Sequence, residues 1–202
     1  MTTGRPERGT ARDRILLAAR ELFAERGYEA VSITDIAAET GTAPSLVYYH
    51  FKDKHELFEM AVIDAATLLE RSAFEALEGT GTTTERILGF VEAYSGLLGS
   101  HPHVMRLLIR SMSDLQGHLP RQVLERTSAI VRRLAETVAQ GVAAGEFRDV
   151  PPLQAAGALF ALINTPLTAR AIGAPLVEEA AGTAEATGAF MAEVFLKGVA
   201  VC

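Results

Sequence analysis

Residues 42–57 read TAPSLVYYHFKDKHEL and gather Tyr48, Tyr49, His50, Lys52, Lys54 and His55 into one short stretch. Phenol hydroxyls and imidazole N–H groups donate hydrogen bonds, and a lysine ammonium is a compact cation. Such a set suits a partner with closely spaced negative charge, for example a phosphate backbone. The competing role is packing, in which the aromatics close a small core. No catalytic constellation rivals this stretch. The chain contains no GxSxG, HExxH, CxxC or glycine-rich Walker loop. His101 and His103 stand two residues apart at a helix start, where they share no face for a metal. The single cysteine, Cys202, is the last residue and builds neither a disulfide framework nor a metal site. The expectation is a protein that binds rather than catalyses, with no cofactor and no metal.

The elements that would position these residues are helices. Alanine and leucine dominate the 49% hydrophobic content, and no segment alternates β-branched and polar residues over a strand's length. Thr10 with Asp13 has capping-box spacing, Ile15 to Phe23 recur with helical period, and Gly27 stops the helix. Ser32 and Asp35 repeat the capping signal, with Val31 and Ile36 spaced as a hydrophobic staple, for a two-turn helix ending at Gly41. Pro44 then suits the first turn of a third helix running to about Phe51. Two short helices separated by a glycine and two or three residues have the spacing of a helix-turn-helix, with Ala37 and Gly41 small enough for close approach. Asp53 caps a long helix reaching Glu78, and further helices read as 84–99, 102–115, 119–144, 151–171 and 184–200.

Charge is distributed unevenly. Residues 1–55 hold eight basic and eight acidic side chains, whereas residues 56–202 hold eleven and seventeen, which accounts for the whole net charge of −6. Arg5, Arg8, Arg12 and Arg14 crowd the N-terminus. A basic arm and a neutral small module on an acidic body fit nucleic-acid binding by the first part only. The start, MTTGRPERGTARDR, lacks an apolar stretch of a secretory signal, and no run of 18 apolar residues would span a membrane. A cytoplasmic location is expected.

The run SITDIAAETGTAPSLVYYHFKDKHELF, preceded by ILLAARELFAERGYEAV, resembles the DNA-binding segment of the TetR family of bacterial transcriptional regulators. Tyr48, His50, Phe51, Lys54 and Leu57 carry its YxHFxxKxxL signature. The resemblance implies an all-α fold, with a three-helix DNA-binding domain over residues 10–55, a flexible basic arm over 1–9, and a helical ligand-binding and dimerisation domain over 56–202. It implies that the third helix enters the major groove of a palindromic operator. Pro44, Ser45 and Leu46 would then face base edges, Tyr48, Tyr49, His50 and Lys54 would hold phosphates, and Ser32 and Thr34 would lie at the DNA side of the second helix. Thr34 stands where many members carry a basic residue, and Ala43 replaces a frequent hydroxyl cap. Pro44 and Leu46 offer no bidentate hydrogen bonds to bases, so shape readout or the arm would carry part of the specificity. Phe51 is expected in the small core with Phe23 and Ile36, and Tyr28 in packing.

For the body, the resemblance implies a small-molecule effector and a homodimer. The segments 151–171 and 184–200 are apolar over more than one face and would form a four-helix interface with their twofold mates. Leu68, Phe90, Tyr94, Met105, Arg110 and Asn164 are the candidate ligand contacts, with Arg106 and Met112 beside them. Arg110 is expected to pair with Asp114 one turn on, and Pro166 interrupts its helix next to Asn164 and Thr165. The leading function is a repressor released from its operator by a small hydrophobic ligand. Two others stay open: a helical small-molecule-binding protein or enzyme with a vestigial DNA-binding domain, and a constitutive DNA binder.

Overall fold

A computed structural model gives the fold, and residues 10–114, 119–173 and 182–200 are described. The proposed arm, residues 1–9, lies outside them. Nine helices are described: α1 (Ala11–Arg26), α2 (Ile33–Thr40), α3 (Pro44–His50), α4 (Lys54–Leu77), α5 (Thr83–Ser100), α6 (Pro102–Asp114), α7 (Arg121–Ala143), α8 (Pro152–Ala171) and α9 (Ala184–Val199). The fold is all-α, an N-terminal helix-turn-helix followed by a helical bundle. The extended pairing described is a single antiparallel bridge between Phe147 and Ala200.

The expected capping boxes form. Thr10 Oγ accepts from Asp13 N while the Asp13 carboxylate accepts from Thr10 N, and Ser32 and Asp35 do the same for α2. These contacts hold the carboxyls of Asp13 and Asp35 below the usual range. Gly27 and Gly41 both take positive φ, +83° and +64°, which explains glycine at each helix end. Close approach does not explain Gly41, because a Cβ there would meet nothing within 4 Å. The turn between α2 and α3 needs its backbone conformation rather than its small size.

Phe23, Ile36, Val47 and Phe51 are buried in the N-terminal core. Phe58 of α4 joins them, edge-on to Phe23 with ring centroids 5.0 Å apart. At 24 residues, α4 spans roughly 36 Å. It packs on α1, α5, α6 and α7, so one rod belongs to both parts of the molecule. In the bundle, α5 carries Phe90 and Tyr94 inward, α7 brings Leu134 and Val138, and α8 brings Leu159 and Ile163. Glu146 caps the start of α5, its carboxylate accepting from Thr83 N and Thr84 N at 3.1 Å each.

Candidate DNA-binding face and body cavity

The short helix α3 has two sides. Val47 is buried and Leu46 is half-buried against the core, which leaves Pro44, Ser45, Tyr48 and Tyr49 facing outward. Tyr48 is 56% exposed and Tyr49 81%. Among the described residues neither phenol hydroxyl has a protein partner. The His50 ring lies edge-on to Tyr49 at 5.1 Å. Thr34, in the first turn of α2, is also exposed. The Ser32 hydroxyl is already engaged, accepting from Asp35 N and donating to the Asp35 carboxylate, so capping accounts for it. No side chain caps α3, in keeping with alanine at position 43.

The junction with α4 is more committed than the sequence suggests. Asp53 Oδ1 accepts from Glu56 N at 2.8 Å, and the Glu56 carboxylate accepts from Lys52 N. The first turn of α4 therefore keeps the N–H groups of Lys54 and His55 for an outside acceptor, with two carboxylates nearby. Lys54 turns back on the α1–α2 loop. Its ammonium donates to the Glu29 carbonyl at 3.3 Å and sits 4.3 Å from the centre of the Tyr28 ring. Tyr28 packs on Phe58 and Phe23, the packing role expected of it.

In the body, Phe90 and Tyr94 are core residues. The Tyr94 hydroxyl donates to Asn164 Oδ1 at 3.0 Å, and Asn164 Nδ2 donates to the Phe160 carbonyl at 2.8 Å. Burial pushes the Tyr94 phenol up, so its hydroxyl stays protonated and a donor. These polar atoms around Pro166 satisfy one another. Leu68 is half-buried on α4. A cavity of about 450 Å³ opens elsewhere, between the end of α5, the first half of α6, the end of α8 and the start of α9. Of the six candidate contacts, Met105 lines it, beside Arg106, Leu98, Leu167 and Arg170. A cation in an apolar run, as in LTARAIGAP, is the sequence signal that would have singled out Arg170.

Arg110 does not pair with Asp114. The Asp114 carboxylate instead accepts from Tyr28 N at 3.2 Å, and the Arg110 guanidinium lies where a Cβ on Gly27 would be only 3.0 Å away. The expected pair is broken because both side chains turn toward the α1–α2 loop. At the other end of α6, His103 Nε2 is buried without a hydrogen-bond partner among the described residues. Burial first, then the Arg20 charge, depresses its pKa to about 4. Arg20 itself is buried and donates to the Asp64 carboxylate on α4 at 2.8 Å. So α6 meets the N-terminal unit at both ends.

Among the described residues no group of three or more His, Cys, Asp or Glu could hold a metal ion. No described helix is long and apolar enough to cross a membrane. Residues 15–61 match the model for bacterial regulatory proteins of the tetR family. Residues 80–168 match a tetracyclin repressor-like C-terminal domain. Solved structures share the fold over nearly the whole chain. The TetR family regulator PfmR from Thermus thermophilus has TM-score 0.73 and 24% identity, covering 92% of this chain and 98% of its own. FadR from Bacillus subtilis, in complex with stearoyl-CoA, has TM-score 0.74 and 19% identity, covering 92% and 98%. The ketosteroid regulator KstR2 of Mycobacterium tuberculosis has TM-score 0.68 and 21% identity, covering 97% and 98%. With both halves of the architecture matched in order, the chain belongs to the TetR family of DNA-binding transcriptional regulators.

Proposed function

We propose that the protein is a dimeric repressor that leaves its operator when a small molecule binds the helical body. Residues 10–55 form the DNA-binding part, residues 56–202 the ligand-binding and dimerisation part, and residues 1–9 a basic arm. The observation that carries the reading is the outward row of α3. Two exposed tyrosines with unused hydroxyls stand beside Ser45 and Pro44 on a helix whose other side is locked in a core. Such side chains suit phosphates and groove walls better than water. Pro44 and Ser45 take base edges, Leu46 offers them only the part of its side chain that the core leaves free, and Tyr48, Tyr49, His50 and Lys54 take phosphates, with Thr34 at the margin.

Dimerisation is assigned to α8 and α9. Their outward side bears Leu153, Phe190 and Val194, all exposed. It also bears an apolar groove of about 590 Å³ between Ala161, Leu162, Pro166 and Met191. Exposed apolar surface of this extent is characteristic of protein contact sites. Two α3 helices in such a dimer would read half-sites one DNA turn apart, roughly 34–36 Å. The solved relatives named for ketosteroids, or holding stearoyl-CoA, favour a hydrophobic effector for this body also.

The test is a footprint of the purified protein on DNA flanking its own gene. Protection of a palindrome with half-sites one turn apart is expected. Binding that is uniform along the fragment at every salt concentration would favour a constitutive, non-specific binder instead.

A further inference from the structure

We propose that the cavity between α5, α6, α8 and α9 takes an amphiphile with one anionic head group, gripped by Arg106 and Arg170. The proposal rests on the reading of the body as a ligand-binding domain and narrows the chemistry of its ligand.

The cavity is set apart by its charge. Its described lining includes two guanidinium groups and no carboxylate, in a part of the chain where acids outnumber bases seventeen to eleven. The neighbouring cavity between α5 and α9 carries Glu92 and Glu185, and the groove on α8 and α9 carries no charge. Arg170 is anchored in the last turn of α8, where it donates to the Gly182 carbonyl at 2.6 Å. That bond uses one of five N–H donors. Glu185, at the start of α9, partly offsets Arg170; its carboxyl is held below the usual range first by its own backbone N–H and the Thr183 hydroxyl, and last by the Arg170 charge. Arg106 has no ion-pair partner among the described residues, although it is half-buried. Among the described residues one cation is therefore left unbalanced, which calls for an anionic group on the ligand. A half-buried guanidinium beside a planar oxyanion gains charge-assisted, often bidentate hydrogen bonds.

The remaining walls set the rest of the ligand. Leu98, Met105, Leu167 and Ala184 are apolar, so the tail should be hydrocarbon-like. The volume, about 450 Å³, lies within the usual range of small-molecule sites, roughly 300–1,000 Å³. Carboxylate and phosphate monoester heads share the chemistry that the two arginines recognise.

The experiment uses the full chain and three probes with the same tail: decanoate, decyl phosphate and the uncharged 1-decanol, titrated by calorimetry. Decanoate or decyl phosphate is expected to bind at least about tenfold more tightly than 1-decanol, the gain of charge-assisted hydrogen bonds. Whichever of the two binds more tightly identifies the head group, and either supports the site. Arg106→Gln should lower the affinity for the anion about tenfold and leave 1-decanol unchanged, while Arg106→Lys retains part of the preference. A helical melt checks that each variant is folded, and Arg170→Gln replaces Arg106→Gln if the latter is not. Equal binding of anion and alcohol would overturn the proposal, as would anion binding that neither glutamine variant weakens. A fluorescent operator titration separates this result from the wider reading. Arginine-dependent anion binding that leaves operator affinity unmoved supports the site and removes the effector response. Tight operator binding with no anion binding removes the site and leaves the DNA-binding role intact.

Discussion

At the residue scale, side chains proposed to touch DNA also have structural work. Lys54 is the sharpest case, because its ammonium already holds the Glu29 carbonyl and the Tyr28 ring. If it also neutralises a phosphate, Lys54→Ala should weaken binding about equally on operator and random duplex. It should also reduce the log–log salt slope by roughly one unit. An unchanged slope with a lowered melting temperature would make Lys54 a pin for the α1–α2 loop instead. His103 gives a second residue-level test. Its folded pKa, about 4, lies below the ordinary histidine value of roughly 6.5. Between these values the unfolded chain takes up a proton that the native state refuses. Stability is thus whole above pH 6.5 and is lost as the pH falls toward 4. Arg20, His101 and Arg106 all disfavour the imidazolium. His103→Gln should flatten this limb, by on the order of 1 kcal/mol between neutral pH and the folded pKa once solvent screening is allowed for. Urea unfolding of both proteins at pH near 7 and near 4.5 measures it, and the carboxylates common to both cancel. Parallel pH profiles would show that His103 is charged in the native state.

At the element scale, α8 and α9 make the boldest claim, because the exposed Phe190 and Val194 are proposed to face a second copy. In a twofold interface each residue faces its mate or a near neighbour. Phe190→Glu would bring two carboxylates into that apolar seam. The expected result is a folded monomer by sedimentation, with operator affinity falling as the second half-site is lost. A variant that sediments like the parent would move the interface elsewhere. This scale is also where the sequence is most legible. Capping residues mark helix starts because the first N–H groups of a helix need acceptors, so Thr10, Ser32, Asp53 and Thr183 stand at helix starts in the structure. Glycines at positive φ mark the ends of α1 and α2. Tertiary partners leave no such local trace. Tyr94 and Asn164 are 70 residues apart, and nothing in either segment announces that they satisfy each other. By spacing Asp114 suits Arg110, because i,i+4 neighbours share a helix face, yet an unpaired N–H on another element takes it. The cavity arginines are hidden for the same reason, since Arg106 and Arg170 meet only when α6 and α8 are packed together.

At the scale of the whole molecule, the question is how a ligand in the body reaches a helix on DNA. The long helix α4 is one possible lever, because it packs in both parts of the molecule. The contacts of α6 make it the first candidate for a moving part. Its Pro102, Met105 and Arg106 border the cavity. Its His103 lies within reach of the Arg20 charge on α1, and its Asp114 accepts from Tyr28 N in the loop leading to α2. A ligand that displaced α6 would therefore pull on α1 and on that loop together, and α4 would follow through the Arg20–Asp64 pair. Coupling needs two arrangements that ligand and DNA prefer oppositely. A ligand that weakens operator binding tenfold must itself bind the DNA complex tenfold more weakly, about 1.4 kcal/mol of coupling. Asp114→Ala tests the route, because Asp114 is exposed and stands apart from both the cavity lining and the outward row of α3. With an effector found by thermal-shift screening, the variant should bind ligand and operator separately within about twofold of the parent, since the freed Tyr28 N–H can turn to water. The effect of one on the other should shrink from about tenfold toward none. Operator anisotropy titrations with and without effector measure both quantities. Full coupling in Asp114→Ala would hand the transmission back to α4, and a loss of operator affinity without effector would make the Asp114 contact a support for the DNA-binding conformation itself.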